Sequence, residues 1–237
     1  MATTRTITNA WKARILPDIF YEDPPPIEDG MLQDPFIRRI AFLLAERYED
    51  SSDVFVSSGG FIFYNPEDGN QRVAPDCYIA FGVDVKAIYE NLPNYWIWEV
   101  GKPPDFVMEV ASKSTADRDL GEKRELYERL KIAEYWRMDP TGGALDGQPL
   151  AGEQLVAGKY VPYELEIGEA GAVRGYSALL DVVFCWDGRE FDALDPETGR
   201  TIGKREAAEA RAEAERHARL EAEAELARLR AQLRGQG

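Results

Sequence analysis

The stretch from Pro103 to Pro140 constrains the fold of this chain more than any other part. It reads PPDFVMEVASKSTADRDLGEKRELYERLKIAEYWRMDP. The pattern of apolar and polar residues predicts a strand, a turn, an amphipathic helix and a second strand. We therefore expect an α/β domain, and we expect any chemistry to lie in this stretch.

The first of these strands, residues 106–111, is apolar except for one carboxylate, Glu109. A run of this kind predicts a strand that is buried on both faces. An ionised carboxylate without a partner costs several kcal/mol when it is buried, or its pKa shifts until it is neutral. Glu109 therefore needs a cation or a set of hydrogen-bond donors.

The helix that follows is predicted to begin after Ser114 or Thr115, either of which suits an N-cap. At 100° per residue, one stripe of the helix is predicted to contain Asp119, Leu120, Lys123, Leu126, Tyr127 and Leu130. Lys123 on this inward face is a candidate partner for Glu109 or for an anion beside it. The alternative is an i, i+4 pair of Lys123 with Asp119 at the rim of the core, which contributes only a few tenths of a kcal/mol.

The rest of the body adds one long helix and several strands. Residues 35–50 predict a helix with Asp34 as the N-cap and Pro35 in its first turn. Residues 84–94 predict a loop or a short helix. Strands are predicted over residues 54–57, 60–64, 77–81, 95–100, 153–156, 160–166, 171–176 and 182–186. The first two of these are expected to be joined through Ser58 and Gly59.

Asp76 follows a proline at the mouth of the strand over residues 77–81. It is a candidate ligand or catalytic acid, and the alternative is an aspartate that satisfies a turn amide.

Three regions are predicted along the chain. Residues 1–30 form an N-terminal extension and residues 31–202 form the α/β domain. Residues 203–237 are almost entirely Ala, Glu, Arg and Leu, which predicts a long helix. Its apolar residues recur three and four apart, so a coiled coil that joins two copies of the chain is expected, with a lone solvated helix as the alternative.

Charge and composition exclude several classes of protein. The net charge of -15 argues against a large nonspecific DNA-binding surface, although residues 110–131 contain six basic and five acidic side chains. Cys77 and Cys185 lack the spacing of a zinc site, and His217 lies in a charged helix. No apolar run is long enough for a membrane span and no signal peptide is recognisable, so we expect a soluble cytoplasmic protein.

The motif around these residues resembles a known family. The segments VAPDCYIAF and WEVGKPPDFVMEVASKSTADRDLGEKRELYERLKIAEYWRMDP are similar to the Uma family of restriction endonucleases, within the PD-(D/E)XK nuclease superfamily. The resemblance covers most of residues 28–200. It implies a restriction-endonuclease-like core with a central mixed sheet flanked by helices. The short Pro-Asp motif alone is unspecific, because it also occurs at Asp18 and Asp105.

The resemblance also implies the roles of particular residues. Asp76 and Glu109 become the two acids, and the backbone carbonyl of Val110 becomes a third oxygen ligand. Ala111 stands where the superfamily has a lysine, and in Uma-type proteins the lysine comes from the following helix, here Lys123. Secondary candidates are Lys113, Asp119 and Tyr127. Lys113 competes with Lys123 for the role of the catalytic lysine, and Tyr127 is either a hydrogen-bond donor or a core aromatic residue.

The implied function is a deoxyribonuclease that depends on Mg2+, with Mn2+ as a substitute. Carboxylate and carbonyl oxygens suit Mg2+, which polarises a phosphodiester and activates a bound water. Lys123 is expected to orient that water or to offset charge on the phosphorus. DNA is the expected partner, through a small basic patch. The alternative is a catalytically inactive member that serves as an oligomeric interaction or mobile-element accessory module.

Overall fold

The computed structural model describes residues 33–111, 120–141 and 148–203, and three isolated helical positions at 212, 216 and 219. The helices are α1 (Asp34–Arg47), α2 (Val85–Asn91), α3 (Ile97–Val100) and α4 (Glu122–Arg129). The first strands are β1 (Val54–Ser57), β2 (Ile62–Phe63), β3 (Arg72–Val73), β4 (Cys77–Phe81), β5 (Tyr95–Trp96), β6 (Phe106–Val110) and β7 (Glu134–Met138). The remaining strands are β8 (Leu150–Val156), β9 (Lys159–Pro162), β10 (Glu166–Ile167), β11 (Val173–Ser177), β12 (Val182–Trp186) and β13 (Phe191–Leu194).

The central sheet has six strands in the order β1-β4-β6-β7-β8-β9. Only the β6–β7 pair is parallel, and α4 makes the crossover that a parallel pair requires. Every residue of β6 and β7 is buried, as expected for the two strands in the middle of a covered sheet. The prediction of an α/β fold with a central mixed sheet flanked by helices is confirmed.

The two faces of the central sheet pack against different partners. One face packs against α1, through Leu43 and Leu44, and against a four-stranded sheet in the order β10-β11-β12-β13. The other face packs against α4, through Leu126 and Tyr127, and against a three-stranded sheet in the order β3-β2-β5. Because both faces of β6 and β7 are covered, every polar side chain on these strands needs a partner inside the protein.

Several of the predicted strands and their pairings differ from the structure. The strand expected over residues 95–100 is only Tyr95–Trp96, and α3 follows it directly until Gly101 ends the helix with a φ of 91°. Glycine adopts this left-handed conformation without steric cost. The hairpin expected through Ser58 and Gly59 is also wrong. β1 pairs with β4, and β2 pairs with β3 and β5 in a separate sheet.

The start of α1 differs from the prediction by one residue. Asp34 is the first residue of α1 and pairs with Arg38, whereas Gln33 is the N-cap and its side chain makes no capping bond.

The extension over residues 1–30 and nearly all of residues 203–237 lie outside the described residues, so their predicted structures stay predictions. In the part of the chain that is described, no helix is long and apolar enough to cross a membrane.

Candidate active site

The β6 strand and the α4 helix bring Glu109 and Lys123 together. Glu109 is 1% exposed in the middle of β6, on the face that α4 covers. Leu126 and Tyr127 anchor α4 in the core below it, which turns Lys123 toward the sheet. The Lys123 Nζ lies 3.0 Å from Glu109 Oε2. The ion pair with Glu109, one of the two alternatives that the sequence left open for Lys123, is present.

Tyr127 contacts the other oxygen of the same carboxylate. Its hydroxyl donates a hydrogen bond of 2.6 Å to Glu109 Oε1, and the residue has no exposed surface. Its ring also packs edge-on against Tyr135 at 5.0 Å between centroids. Tyr127 is thus both a core aromatic residue and a donor in the site. Lys123 and Tyr127 are spaced i, i+4, which places them on one face of α4.

Asp76 reaches the same region from β4. Its Oδ2 accepts a hydrogen bond of 2.7 Å from the backbone N–H of Val110. Cys77 pairs with Met108 in the antiparallel register, so Asp76 lies one position beyond it, opposite Glu109. Side chains opposite each other in such a pair share a face, with Cβ atoms roughly 5 Å apart. The register therefore places the two acids, 33 positions apart in the sequence, on the same face of two neighbouring strands.

A second charged group lies beside Glu109 and was missed in the sequence. Arg137 pairs with Glu109 in the parallel register of β6 and β7, and it is 6% exposed. Its Nη1 lies 2.8 Å from Glu153 Oε2. Arg124 of α4 binds the same carboxylate through Nε and Nη2 at 2.7 to 3.0 Å. These hydrogen bonds to Glu153 raise the pKa of Arg124 above its ordinary value.

The buried guanidinium of Arg137 is held more by charge than by hydrogen bonds. Its Nη1 is within ion-pair distance of Glu153, yet Nη1 and Nε make no hydrogen bond of acceptable geometry. The short distance identifies Glu153 as the ionic partner of Arg137. The hydrogen bond is missing because the N–H group does not point at the carboxylate oxygen. The guanidinium carbon also lies 4.7 Å from the centroid of the Tyr135 ring, a favourable cation–π contact. A charged residue inside the apolar run EYWRM is the signal that would have identified Arg137.

Consecutive residues of α4 therefore anchor the helix to two strands. Lys123 pairs with Glu109 on β6, and Arg124 pairs with Glu153 on β8. β7, with Arg137, lies between these strands. This arrangement fixes both the rotation and the position of α4, and with them the location of the Lys123 ammonium.

The remaining candidates are resolved differently. Lys113 and Asp119 lie outside the described residues, so their proposed secondary roles stay predictions. Asp105 caps a strand, because its carboxylate accepts the Phe81 N–H and two hydrogen bonds from Lys102. Burial, reinforced by the charge of Asp76, raises the pKa of Cys77 to about 12, so this thiol is not a nucleophile at neutral pH.

The donor set of the site is suited to a hard cation. Asp76 and Glu109 supply carboxylate oxygens next to a backbone segment, and Mg2+ typically uses one or two carboxylates together with waters and substrate phosphates. Among the described residues, no group of three or more acidic, histidine or cysteine side chains is arranged to hold a metal. A pair of acids therefore fits Mg2+ better than it fits a metal that needs a full set of protein ligands.

Comparison with known proteins adds a family match. The model of the Uma2 family, described as "Putative restriction endonuclease", matches residues 12–170. A solved structure described as a putative nuclease belonging to DUF820, from Anabaena variabilis, is similar over 77% of this chain and 79% of that chain. It shares 9% sequence identity, with a TM-score of 0.39. No curated protein matches the chain.

Proposed function

Because this chain belongs to the Uma2 family of putative restriction endonucleases, we propose that it is a Mg2+-dependent deoxyribonuclease whose site is formed by Asp76, Glu109 and Lys123. The observation that carries the proposal is the 3.0 Å contact of Lys123 with a buried carboxylate that lies opposite Asp76. An amine and two acids on one face of the sheet are groups that hydrolysis of a phosphodiester uses.

Asp76, Glu109 and the backbone carbonyl of Val110 are the groups that would hold the ion. When bound, Mg2+ polarises a phosphodiester oxygen and lowers the pKa of a coordinated water, and Mn2+ supplies the same chemistry. The hydrogen bond from the Val110 N–H fixes the carboxylate of Asp76 against β6. The hydroxyl of Tyr127 fixes the carboxylate of Glu109 in the same way.

Lys123 provides the positive charge of the site. Its ammonium has three N–H donors, so it can remain near Glu109 and also donate to a phosphate oxygen or to the attacking water. Negative charge develops on the phosphate oxygens as the bond to water forms, and an ammonium at this position stabilises it. Ala111 leaves the superfamily lysine position without an amine, so in this proposal Lys123 on α4 replaces it.

A second candidate function is a nuclease-fold protein without activity that acts as an interaction module. The observation that favours it is the same ion pair, because Lys123 satisfies the charge of Glu109 without a metal. The high net negative charge of -15 also opposes association with nucleic acid in general. Isothermal titration with Mn2+ separates the two functions, since the module binds no metal while it stays folded.

The direct test is cleavage of supercoiled plasmid DNA by the purified full-length protein. We expect nicking or cutting with Mg2+ or Mn2+ and none with EDTA. Lys123→Met keeps an unbranched side chain but removes the charge, so it should reduce the rate about a hundredfold or more. Lys86→Met is the matched control, because Lys86 is exposed on α2 and pairs with Glu90. Equal rates for both variants would contradict the role of Lys123.

The partner of the C-terminal segment is a separate proposal. Residues 203–237 would associate with a second copy of the chain and make a dimer. Sedimentation of the full-length protein and of a chain ending at Ile202 tests this. A dimer that becomes a monomer on truncation supports it, and two monomers contradict it.

A further inference from the structure

A cleft separates the hairpin of β2 and β3 from α4. It holds about 310 Å3. Tyr64 and Arg72 lie on the hairpin wall, and Lys123 and Arg129 lie on the helix wall. Cations thus line both sides of the cleft.

This cleft opens onto the candidate active site through Lys123. Glu109 is 1% exposed and Tyr127 is fully buried, and neither lines the cleft. The Lys123 side chain retains 13% of its exposure and lines the cleft, while its Nζ contacts Glu109. A ligand in the cleft therefore contacts the amine that the Glu109 carboxylate holds.

The arginine on the hairpin wall is held in place before any ligand arrives. The Arg72 guanidinium donates a hydrogen bond of 2.8 Å to the carbonyl of Gly69. It also lies 4.8 Å from the centroid of the Phe61 ring and 6.0 Å from that of Phe63. A guanidinium with a fixed plane loses little conformational entropy when it binds a phosphate.

The arginine on the helix wall is available for an anion. Arg129 is exposed in the last turn of α4 and makes no ion pair within the described part of the chain. Across the cleft, burial raises the pKa of the Tyr64 hydroxyl, and the positive charge of Arg129 acts in the opposite direction. Tyr64 therefore stays protonated at neutral pH and presents an aromatic ring and a hydroxyl donor.

Two acids limit how strongly the cleft attracts nucleic acid in general. Glu122 and Glu125 line the helix wall and are exposed. Since Lys123 is already paired with Glu109, the charges of Arg72 and Arg129 are balanced by these two carboxylates. Binding must then come from specific contacts with a few groups, not from a broad positive field.

We propose that this cleft binds an unpaired nucleotide segment of the substrate strand, with Arg72 and Arg129 on backbone phosphates and the ring of Tyr64 against a base. The volume of about 310 Å3 lies at the small end of the range for ligand pockets, which suits a nucleotide of a single strand and not a duplex. Stacking on an aromatic ring together with arginine contacts is how proteins hold single strands without sequence preference. This inference rests on the proposed nuclease function and adds the form of the substrate.

The test is fluorescence anisotropy with a labelled short single-stranded oligodeoxynucleotide and with its duplex, both in EDTA so that no cleavage occurs. We expect the single strand to bind more tightly. Arg129→Ala should weaken it about fivefold, the loss of about one exposed charged contact. Glu125→Gln should strengthen it, and Lys86→Ala, which removes a cation outside the cleft, should leave it unchanged.

Salt dependence gives a second measure on the same samples. A single phosphate contact to a single strand contributes about 0.7 to the slope of log K against log salt. Arg129→Ala should reduce the slope by this amount. Glu125→Gln should raise the affinity but leave the slope unchanged, because the phosphate contact is kept. Tighter binding of the duplex, no binding by the wild-type protein, or equal losses in Arg129→Ala and Lys86→Ala would overturn the inference.

The outcome can be separated from that of the proposed function. Loss of binding in Arg129→Ala, with no metal-dependent cleavage by the wild-type protein, supports the cleft and contradicts the nuclease. Metal-dependent cleavage, with Arg129→Ala binding and cutting like the wild-type protein, supports the nuclease and overturns the cleft.

Discussion

Two buried glutamates on neighbouring strands of the central sheet, Glu109 on β6 and Glu134 on β7, are satisfied in opposite ways. Glu134 pairs in register with Phe106, so its side chain lies on the face opposite Glu109. Both are almost fully buried, at 1% and 2% exposure. Glu109 meets the ammonium of Lys123, which keeps some exposure to solvent.

Glu134 is surrounded by neutral donors. Its Oε2 accepts hydrogen bonds from Trp136 Nε1 at 2.9 Å and from Ser177 Oγ at 2.6 Å. Its Oε1 accepts from the Tyr163 hydroxyl at 2.5 Å and from the Leu179 N–H at 2.8 Å. Ser177 ends β11 of the four-stranded sheet, so this carboxylate joins the two sheets.

The comparison supports the proposal that Glu109, and not Glu134, is the acid that takes part in chemistry. A carboxylate that accepts four hydrogen bonds from groups of the core gains nothing from a metal, because each bond must first be broken. A carboxylate whose charge is balanced by a partly exposed amine can exchange that partner for another cation. Burial alone therefore does not identify a functional acid, and the nature of its partner does.

The largest expected effect is on cleavage, with Glu109→Gln compared with Glu134→Gln. Glutamine keeps the size of each side chain but removes the charge. We expect Glu109→Gln to lower the cleavage rate about a hundred- to a thousandfold, since the metal of the proposed site would lose a ligand. Glu134→Gln should cut at nearly the wild-type rate per folded molecule, measured under single-turnover conditions. Equal losses would remove the distinction between the two sites.

The order reverses for stability when each residue is replaced by alanine. Glu134→Ala leaves four donors without an acceptor, and we expect a loss of about 3 kcal/mol or more in the free energy of unfolding. Glu109→Ala removes one acceptor of the Tyr127 hydroxyl, but the amine of Lys123 can reach water, so the expected loss is about 1–3 kcal/mol. Urea denaturation measures both. A larger loss for Glu109→Ala would contradict the view of Glu134 as the structural residue.

Gly175 packs closely against the Trp136 ring, which donates a hydrogen bond to Glu134, so a substitution there tests the Glu134 side of the sheet separately from the Glu109 side. A Cβ on Gly175 would lie 2.7 Å from the Trp136 ring and 2.6 Å from Leu165. Gly175→Ala should therefore cost about 1–3 kcal/mol, measured by urea denaturation, without changing cleavage by the folded protein. Gly168→Ala is the matched control, because its added Cβ makes ordinary contacts of 3.5 Å or more. A loss of activity in folded Gly175→Ala would show that the two faces are coupled.

The smallest expected effect concerns Glu128, a partly exposed carboxylate on α4. Hydrogen bonds from Lys159 and from the Tyr160 N–H lower its pKa below its ordinary value. A carboxylate whose pKa is lowered by folding stabilises the fold at pH values above its pKa in the unfolded chain. This stabilisation is lost as the pH falls through its pKa in the folded protein. The melting temperatures of wild type and Glu128→Gln should therefore differ slightly at neutral pH and converge below about pH 4.5. A difference that grows in acid would contradict this sign.

Part of the site was predictable because its signals are local. The carboxylate inside an apolar strand can be recognised from the residues of that strand alone. The lysine on the inward stripe of the next helix can be recognised from the residues of that helix alone. These patterns predicted that Glu109 needs a partner and offered Lys123 as one. The proposed secondary residues Lys113 and Asp119, and the C-terminal helix, lie outside what the structure describes.

Other parts of the site had no local signal. Nothing in the local sequence indicated that Arg124 binds Glu153 on β8, 29 positions away. Nothing local indicated the surroundings of Glu134 either, because three of its four donors come from residues 163, 177 and 179. The hairpin expected at Ser58 and Gly59 was wrong for a related reason, since β1 pairs with a distant strand.

The amino-acid sequence by itself determined the order of strand, helix and strand, the burial of Glu109 and the inward direction of Lys123. Side-chain periodicity sets these features, and it acts over a few residues. The tertiary structure alone decided that Asp76 lies opposite Glu109, that Glu134 is enclosed by neutral donors, and that a cleft leads to Lys123. These features depend on the register and packing of segments far apart in the chain, and local propensity does not encode them.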